Sequence, residues 1–120
     1  RNNPRVADLY SAFHPAVLGA LNTIVKEVQL EGKLVSICGE MAGDPGGAVL
    51  LMAMGFDILS MNNAALLKVK SVIRSVNYLG AKELLDSVME MDDMRTIRKE
   101  VDLMLYNSGV DRVLRSSRTN

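Results

Sequence analysis

Apolar residues recur at helical spacing in the segment 14–31, which reads HPAVLGALNTIVKEVQLE. Polar residues such as Lys26 and Glu27 fill the opposite side. Pro15 suits the first turn of a helix and Gly32 suits its end. The pattern therefore predicts an amphipathic helix, whose apolar face consists of Val17, Leu18, Leu21, Ile24, Val25 and Val28.

Two short apolar runs follow, at Lys33–Cys38 (KLVSIC) and Phe56–Met61 (FDILSM). Runs that are short and nearly all apolar are typical of strands buried on both faces of a parallel sheet. We therefore predict two buried strands at these positions.

A glycine-rich loop, GEMAGDP, connects the first predicted strand to the next helix. Asp44 is a good N-cap and Pro45 a good first residue. We expect this helix to run from about Gly46 to Met54, with Gly55 at its end.

Helical periodicity also marks the remainder of the chain. Asn62 and Asn63 form a turn and cap before a helix whose apolar face holds Leu66, Val69, Val72, Ile73 and Val76. One or two more helices are expected between Gly80 and about Tyr106, with Asp92-Asp93 as a cap. Their apolar stripes are Leu84, Leu85, Val88 and Met91, then Ile97, Val101, Met104 and Leu105.

The predicted order is helix–strand–helix–strand–helix, which favours an α/β fold with parallel strands and right-handed crossovers. Two strands are too few for a stable parallel sheet, since both faces and both edges need cover. The chain is therefore expected to pair with copies of itself or to belong to a larger sheet. Its start, RNNPRVADLY, has arginine in place of methionine and indicates a beginning inside a longer protein.

Composition adds mainly exclusions. Hydrophobic residues make up 48% and charged residues 23%, and the formal net charge is zero, as in soluble globular proteins. Nothing predicts binding to nucleic acid or to an anionic membrane, and the basic stretch 112–118 is expected to be a solvated terminus. The start RNNPRVADLY lacks the apolar stretch of a signal peptide, and no apolar run reaches the roughly 18–20 residues that span a bilayer. A single cysteine excludes an internal disulfide and favours a reducing compartment.

Cys38 is the residue best placed for chemistry. It ends a predicted parallel strand, where ligands of α/β folds gather. Gly39 and Gly43 would let backbone approach a ligand, and the following helix N-terminus would suit an anion and a thiol that serves as nucleophile or acid/base. Glu40 offers a second polar group. From the pattern alone, an inert buried cysteine beside a simple turn stays an open alternative.

Other candidates are weaker. His14 directly precedes a helix-starting proline, a position more typical of a cap or packing residue than of a catalytic one. The eight methionines lie at helical spacing and are expected to fill the core. One Cys, one His and no clustered carboxylates predict no metal site.

Beyond these patterns, one segment carries a resemblance. Residues 35–45, VSICGEMAGDP, resemble the C-G-E-(M/L)-A-G-D motif of phosphoenolpyruvate-utilising enzymes, and especially the Enzyme I family of the bacterial phosphotransferase system. The resemblance runs from Arg1 to about Val76, and His14-Pro15 in place of Ser-Pro leans toward the nitrogen-branch paralogue. It also includes RNNPRVADLY at the start, HPAVL at 14–18, MGFD at 54–57, LSMN at 59–62 and VIRSV at 72–76.

This resemblance implies a fold. Residues 1–78 would be the last quarter of a phosphoenolpyruvate-binding TIM (β/α)8 barrel, with the two predicted strands as its last two. Residues 79–120 would form a helical C-terminal extension in the same structural unit.

It also implies an activity: transfer of the phosphoryl group of phosphoenolpyruvate to a protein histidine, with release of pyruvate. Cys38 would donate the proton to the enolate, Arg1 would bind the substrate phosphate, and Gly39 and Glu40 would support the loop. In the family the phosphorylated histidine, the other substrate arginines and the Mg²⁺ ligands lie upstream of Arg1. The chain by itself is therefore expected to be inactive.

The implied setting is a cytoplasmic homodimer in sugar transport, with a histidine-phosphocarrier protein as phosphoryl acceptor. Two alternatives stay open. One is pyruvate, phosphate dikinase or phosphoenolpyruvate synthase, although the stretches at 8–10 and 59–62 look more like Enzyme I. The other is a non-catalytic dimerisation module that uses the helix Leu66–Val76.

Overall fold

The computed structural model of the protein describes residues 12–109, where helices and two short strands alternate. In chain order these elements are α1 (Pro15–Leu30), β1 (Ser36–Cys38), α2 (Glu40–Gly43), α3 (Pro45–Met54), β2 (Ile58–Ser60), α4 (Asn63–Ser75), α5 (Tyr78–Met89) and α6 (Met94–Asn107).

Side-chain caps fix where most of the helices begin. At each capped N-terminus a side chain of the preceding residue accepts a hydrogen bond from a backbone N–H of the first turn, which would otherwise lack a partner. The predicted caps at Asp44, Asn62 and Asp93 are confirmed, as is Pro45 as a first helical residue. His14, which was expected to be a cap or packing residue, caps α1, and the structure adds one further cap, Asn77 before α5.

Helix α3 lies at the centre of the described residues. Eight of its ten residues are buried, and it packs against α2, α4, α5 and α6. The predicted end at Gly55 is confirmed, since this residue adopts the left-handed conformation with φ of 107°. A helix that is apolar all round must be covered on every side, and here the neighbouring helices provide that cover.

The two strands are parallel neighbours, as predicted. Ile37 pairs with Leu59 and Cys38 with Ser60, so the carboxyl ends of both strands lie side by side. Just before the strands, Asp57 Oδ2 accepts a hydrogen bond from the Val35 backbone N–H at 2.8 Å. This bond holds the start of one strand against the start of the other.

The prediction of strands buried on both faces is wrong for the described residues. Each strand has only three residues, with its central residue half-buried and its outer two exposed. Helices cover one face of this small sheet, toward which Ile37 and Leu59 are directed. The apolar run misled because Val35 is buried ahead of the strand, whereas Leu34 is 76% exposed.

The predicted apolar face of α1 is broader than the observed one. Leu18 and Val25 are buried, but Val17 and Ile24 are exposed. The stripes of the later helices agree better with prediction, since α5 and α6 bury Leu84, Leu85, Val88, Ile97, Val101 and Leu105. Seven of the eight methionines belong to the core or pack against it, as predicted, whereas the half-buried Met61 does not.

The observed architecture is thus a mainly helical α/β arrangement with one pair of parallel strands. Within residues 12–109, the structure holds no helix with the length and apolarity that crossing a membrane requires.

Candidate active site at the cysteine loop

The carboxyl ends of β1 and β2 open onto a cleft of about 580 Å³. Its walls come from the cysteine loop (residues 38–44, which include α2), from the end of β2 and from the first turn of α4. The lining residues are Cys38, Gly39, Glu40, Gly43, Ser60, Met61, Asn62 and Ala65. A cleft in this place agrees with the general position of ligand sites in parallel α/β structures.

Cys38 is the last residue of β1, and its side chain is exposed at the cleft. This confirms its predicted position at a strand end. The alternative of a buried cysteine is wrong, because the Cys38 side chain is exposed.

Gly39 is the residue at which the chain turns from β1 into α2. Its φ of 122° belongs to a region that residues with a side chain rarely adopt. Glu40 follows as the first residue of α2 and lines the cleft. Met41 and Ala42 are buried beneath it. The loop therefore presents polar atoms outward while it is anchored by apolar residues below.

The helix N-terminus that the sequence offered for an anion is occupied by the chain's own carboxylate. Asp44 Oδ2 accepts a hydrogen bond from the Gly47 backbone N–H at 2.9 Å, and Arg98 lies 3.2 Å from the same oxygen. The first turn of α3 also does not line the cleft. The expected anion site at this N-terminus is therefore wrong, because an added anion would have to displace Asp44.

The other predicted residues separate clearly. Arg1 lies outside the described residues. His14 caps α1, with its Nδ1 accepting a hydrogen bond from the Ala16 N–H at 3.1 Å, which is the structural role expected of it. Within residues 12–109 no three His, Cys, Asp or Glu side chains come together as a metal site. None of these described residues is assigned to a Mg²⁺ ion.

Sequence reasoning missed the second wall of the cleft. Ser60, Met61 and Asn62 come from the end of β2 and face the cysteine loop across the cleft. The signal was available, because two parallel strands predicted in succession end at the same edge of a sheet. Asn62 is in addition tied to α4, since its Oδ1 accepts a hydrogen bond from the Ala65 N–H at 2.9 Å.

The region that contains the cleft matches a known protein family. Residues 1–78 match the family described as PEP-utilising enzyme, PEP-binding domain. The match includes both strands and every residue that lines the cleft.

Curated relatives extend over most of the chain. A protein of Escherichia coli strain K12 named "Phosphoenolpyruvate-dependent phosphotransferase system" is 35% identical over 96% of this chain, which covers 15% of that protein. Proteins named "Phosphoenolpyruvate-protein phosphotransferase" show similar values. The one from Haemophilus influenzae is 32% identical over 92% of the chain and 19% of its own length. The one from Priestia megaterium is 36% identical over 81% of the chain and 17% of its own length.

The chain spans less than a fifth of the length of these relatives. With its family match over residues 1–78, the chain belongs to the PEP-binding domain family of the PEP-utilising enzymes.

Proposed function

We propose that this chain is part of a phosphoenolpyruvate–protein phosphotransferase, in which Cys38 protonates the enolate that remains after phosphoryl transfer. The observation that carries the proposal is the exposed Cys38 thiol at the carboxyl end of a parallel strand, on a cleft inside the family-matched region. The names of the relatives support the reaction.

In the proposed reaction the bond between phosphorus and the bridging oxygen of phosphoenolpyruvate breaks, and the phosphoryl group passes to a protein histidine. The enolate of pyruvate remains. Cys38 Sγ–H gives its proton to the methylene carbon, which yields pyruvate and a thiolate that solvent then reprotonates. A general acid must lie within reach of the atom that it protonates, and a thiol at the cleft satisfies this requirement for a ligand held there.

The proposed roles of the other residues follow from the same cleft. Gly39 and Glu40 shape the loop beside Cys38, and Arg1 binds the substrate phosphate by analogy with the family. A guanidinium suits this task, since it offers several N–H donors and a permanent charge. The phosphorylated histidine and the ligands of the Mg²⁺ ion are assigned to parts of the enzyme outside this chain.

The proposed architecture places residues 1–78 as the last quarter of a (β/α)8 barrel and residues 79–120 as its helical extension. The exposed outer residues of both strands support a larger sheet, because parallel sheets are normally covered on both faces. The enzyme is proposed to act in the cytoplasm, in the nitrogen branch of the phosphotransferase system, with a histidine-phosphocarrier protein as acceptor.

A homodimer is part of the proposal, although the helix suggested for it contributes little surface. Val69, Val72 and Val76 of the Leu66–Val76 segment are buried inside the molecule. Leu67, at 73% exposed, and the partly exposed Leu66 stay available for a partner. Sedimentation of the full enzyme measures whether it is a dimer. If α4 lies in the interface, Leu67→Lys should shift the enzyme from dimer toward monomer.

The decisive experiment replaces Cys38 in the full-length enzyme. Cys38→Ala should lower pyruvate formation at least about 100-fold, in the range typical of a lost general acid, while far-UV circular dichroism stays the same. Ser36→Ala is the matched control, because Ser36 is exposed on the same strand and does not line the cleft. Unchanged turnover in Cys38→Ala would remove the cysteine from the reaction. Pyruvate formation by the 120-residue chain alone would contradict the expectation that it is inactive.

A further inference from the structure

Helix α6 lies outside the family-matched region, yet it is tied to the end of the cysteine loop. Arg98 Nη1 of α6 lies 3.2 Å from Asp44 Oδ2. Asp44 ends α2 and caps α3, so it closes the segment that begins at Cys38. The ion pair joins residues 54 positions apart in the chain.

Arg98 is itself held in place from two further sides. Its Nε lies 3.2 Å from Asp102 Oδ1, one turn along α6. Its guanidinium carbon lies 4.8 Å from the centroid of the Phe13 ring, within the range of a cation–π interaction. Phe13 is buried ahead of α1. These contacts therefore fix the orientation of the Arg98 guanidinium.

Close backbone packing connects the same elements beneath the ion pair. A Cβ at Gly46, in the first turn of α3, would lie 2.5 Å from Val101 Cγ1 of α6. A Cβ at Gly47 would collide with the backbone carbonyl of Met41 in α2. The first turn of α3 is thus in direct contact with α6 on one side and with the cysteine loop on the other.

From these contacts we infer that Arg98 is a positioning residue for the candidate active site, which acts on Cys38 through Asp44. The segment from Gly39 to Gly43 has no side-chain cap at its start, so its placement depends on the buried Met41 and Ala42 and on its two ends. One end is fixed by the β1–β2 pairing and the other by Asp44. This inference rests on the proposed function for its catalytic consequence, and it gives the extension 79–120 a role in the site.

The test uses the full-length enzyme with three variants of Arg98 and its partner. Arg98→Gln should lower kcat about tenfold, since small displacements of a reacting group have large effects on rate. Arg98→Lys, which keeps the charge, should recover part of the loss. Asp44→Asn keeps the helix cap but loses the ion pair, so combining it with Arg98→Gln should add little to either single change. Lys99→Gln is the control, because Lys99 is exposed on the same helix and its side chain makes no hydrogen bond or ion pair among residues 12–109.

Two readouts separate positioning from a general loss of folded protein. All rates are divided by the fraction of enzyme that accepts a phosphoryl group from phosphoenolpyruvate. Amide hydrogen exchange of residues 39–44 and the rate of Cys38 alkylation by iodoacetamide measure the order and exposure of the loop. Neither measurement depends on the reaction that the loop catalyses. Both should change in Arg98→Gln and stay the same in Lys99→Gln.

The inference is overturned if loop exchange and alkylation are unchanged in Arg98→Gln, if the normalised kcat is unchanged, or if Lys99→Gln has equal effects. Failure of the proposed function shows differently, as full turnover in Cys38→Ala. In that case the exchange of residues 39–44 still decides whether Arg98 holds the loop.

Discussion

Gly47 is a residue of the central helix that packs tightly against Met41 of the cysteine loop. Any side chain there would meet the backbone carbonyl of Met41, and backbone cannot move aside as a side-chain end can. We expect Gly47→Ala to destabilise the protein by about 1–3 kcal/mol, as overpacked cores do, and to change the alkylation rate of Cys38.

A matched substitution is available at Gly19, inside α1, where an added Cβ meets nothing within 4 Å. Gly19→Ala should raise stability by roughly 0.5–1 kcal/mol through helix propensity alone. Urea unfolding of both variants gives the comparison. Equal stability of the two would contradict the close packing described for Gly47.

Asp93 shows how one capping carboxylate responds to pH. Its pKa is lowered below 3.8, first by the hydrogen bond from the Thr96 hydroxyl and then by the Arg95 backbone N–H. A lowered pKa in the folded state stabilises the protein above the unfolded pKa, and this contribution is lost as pH falls through the folded value.

We therefore expect Thr96→Val to raise the pKa of Asp93, as measured by NMR titration of its carboxyl carbon. The stability difference between the variant and the parent should be present at neutral pH and shrink in acid. A difference that grows in acid would contradict this assignment.

At the scale of elements, the start of the strand pair depends on one side chain. Asp57 Oδ2 is the acceptor for the Val35 N–H, and the Asp57 N–H donates in return to the Val35 carbonyl at 2.9 Å. Asp57→Ala should cost about 1 kcal/mol, toward the lower end of the range for a donor left without its partner, because the carboxylate is exposed. Asp57→Asn keeps an acceptor and should cost less. Unfolding midpoints that do not differ between the two would exclude this role.

The helices could be predicted from sequence more fully than the strands, for a physical reason. Helix ends are determined by residues close by in the sequence, such as the caps Asp44 and Asn62 and the terminating Gly55. Burial of a strand face depends instead on what packs over it. The run KLVSIC carries no sign that Leu34 would be exposed and Val35 buried, or that pairing would be limited to Ser36–Cys38.

The candidate site, too, could be predicted from the sequence only in part. The position of Cys38 at a strand end followed from the order of elements, and the opposite wall at Ser60–Asn62 could have followed from it. The contact between Arg98 and Asp44 could not, because no local pattern relates residues on α6 to a loop in the first half of the chain. Short α2 also escaped prediction, since a single turn of four residues has no periodicity to detect.

On the scale of the whole molecule, the family match ends at residue 78, but the residues on the two sides of this point pack together in one core. Helix α5 begins at Tyr78 and packs against α3, where Lys82 Nζ donates a hydrogen bond to the Ala53 carbonyl at 3.3 Å. We expect a chain that stops after residue 78 to lose cooperative unfolding and to bind a hydrophobic dye, because one side of α3 would be exposed.

The measurement is urea unfolding followed by circular dichroism, together with dye fluorescence. Leu79→Ser is the control, since Leu79 is 66% exposed on α5 and its loss leaves α3 covered. Two independent transitions in the intact chain, or an unchanged midpoint in the shortened one, would show that residues 79–120 form a separate unit.

The all-round burial of α3 has a consequence during synthesis of the protein. Its sequence, PGGAVLLMAM, leaves the ribosome well before the helices that enclose it, since α5 ends at Met89 and α6 at Asn107. At roughly 5–20 residues per second, the nascent chain carries this uncovered apolar segment for several seconds. This segment is therefore the part of the chain where we expect a chaperone to bind first, and its release should follow the emergence of α6.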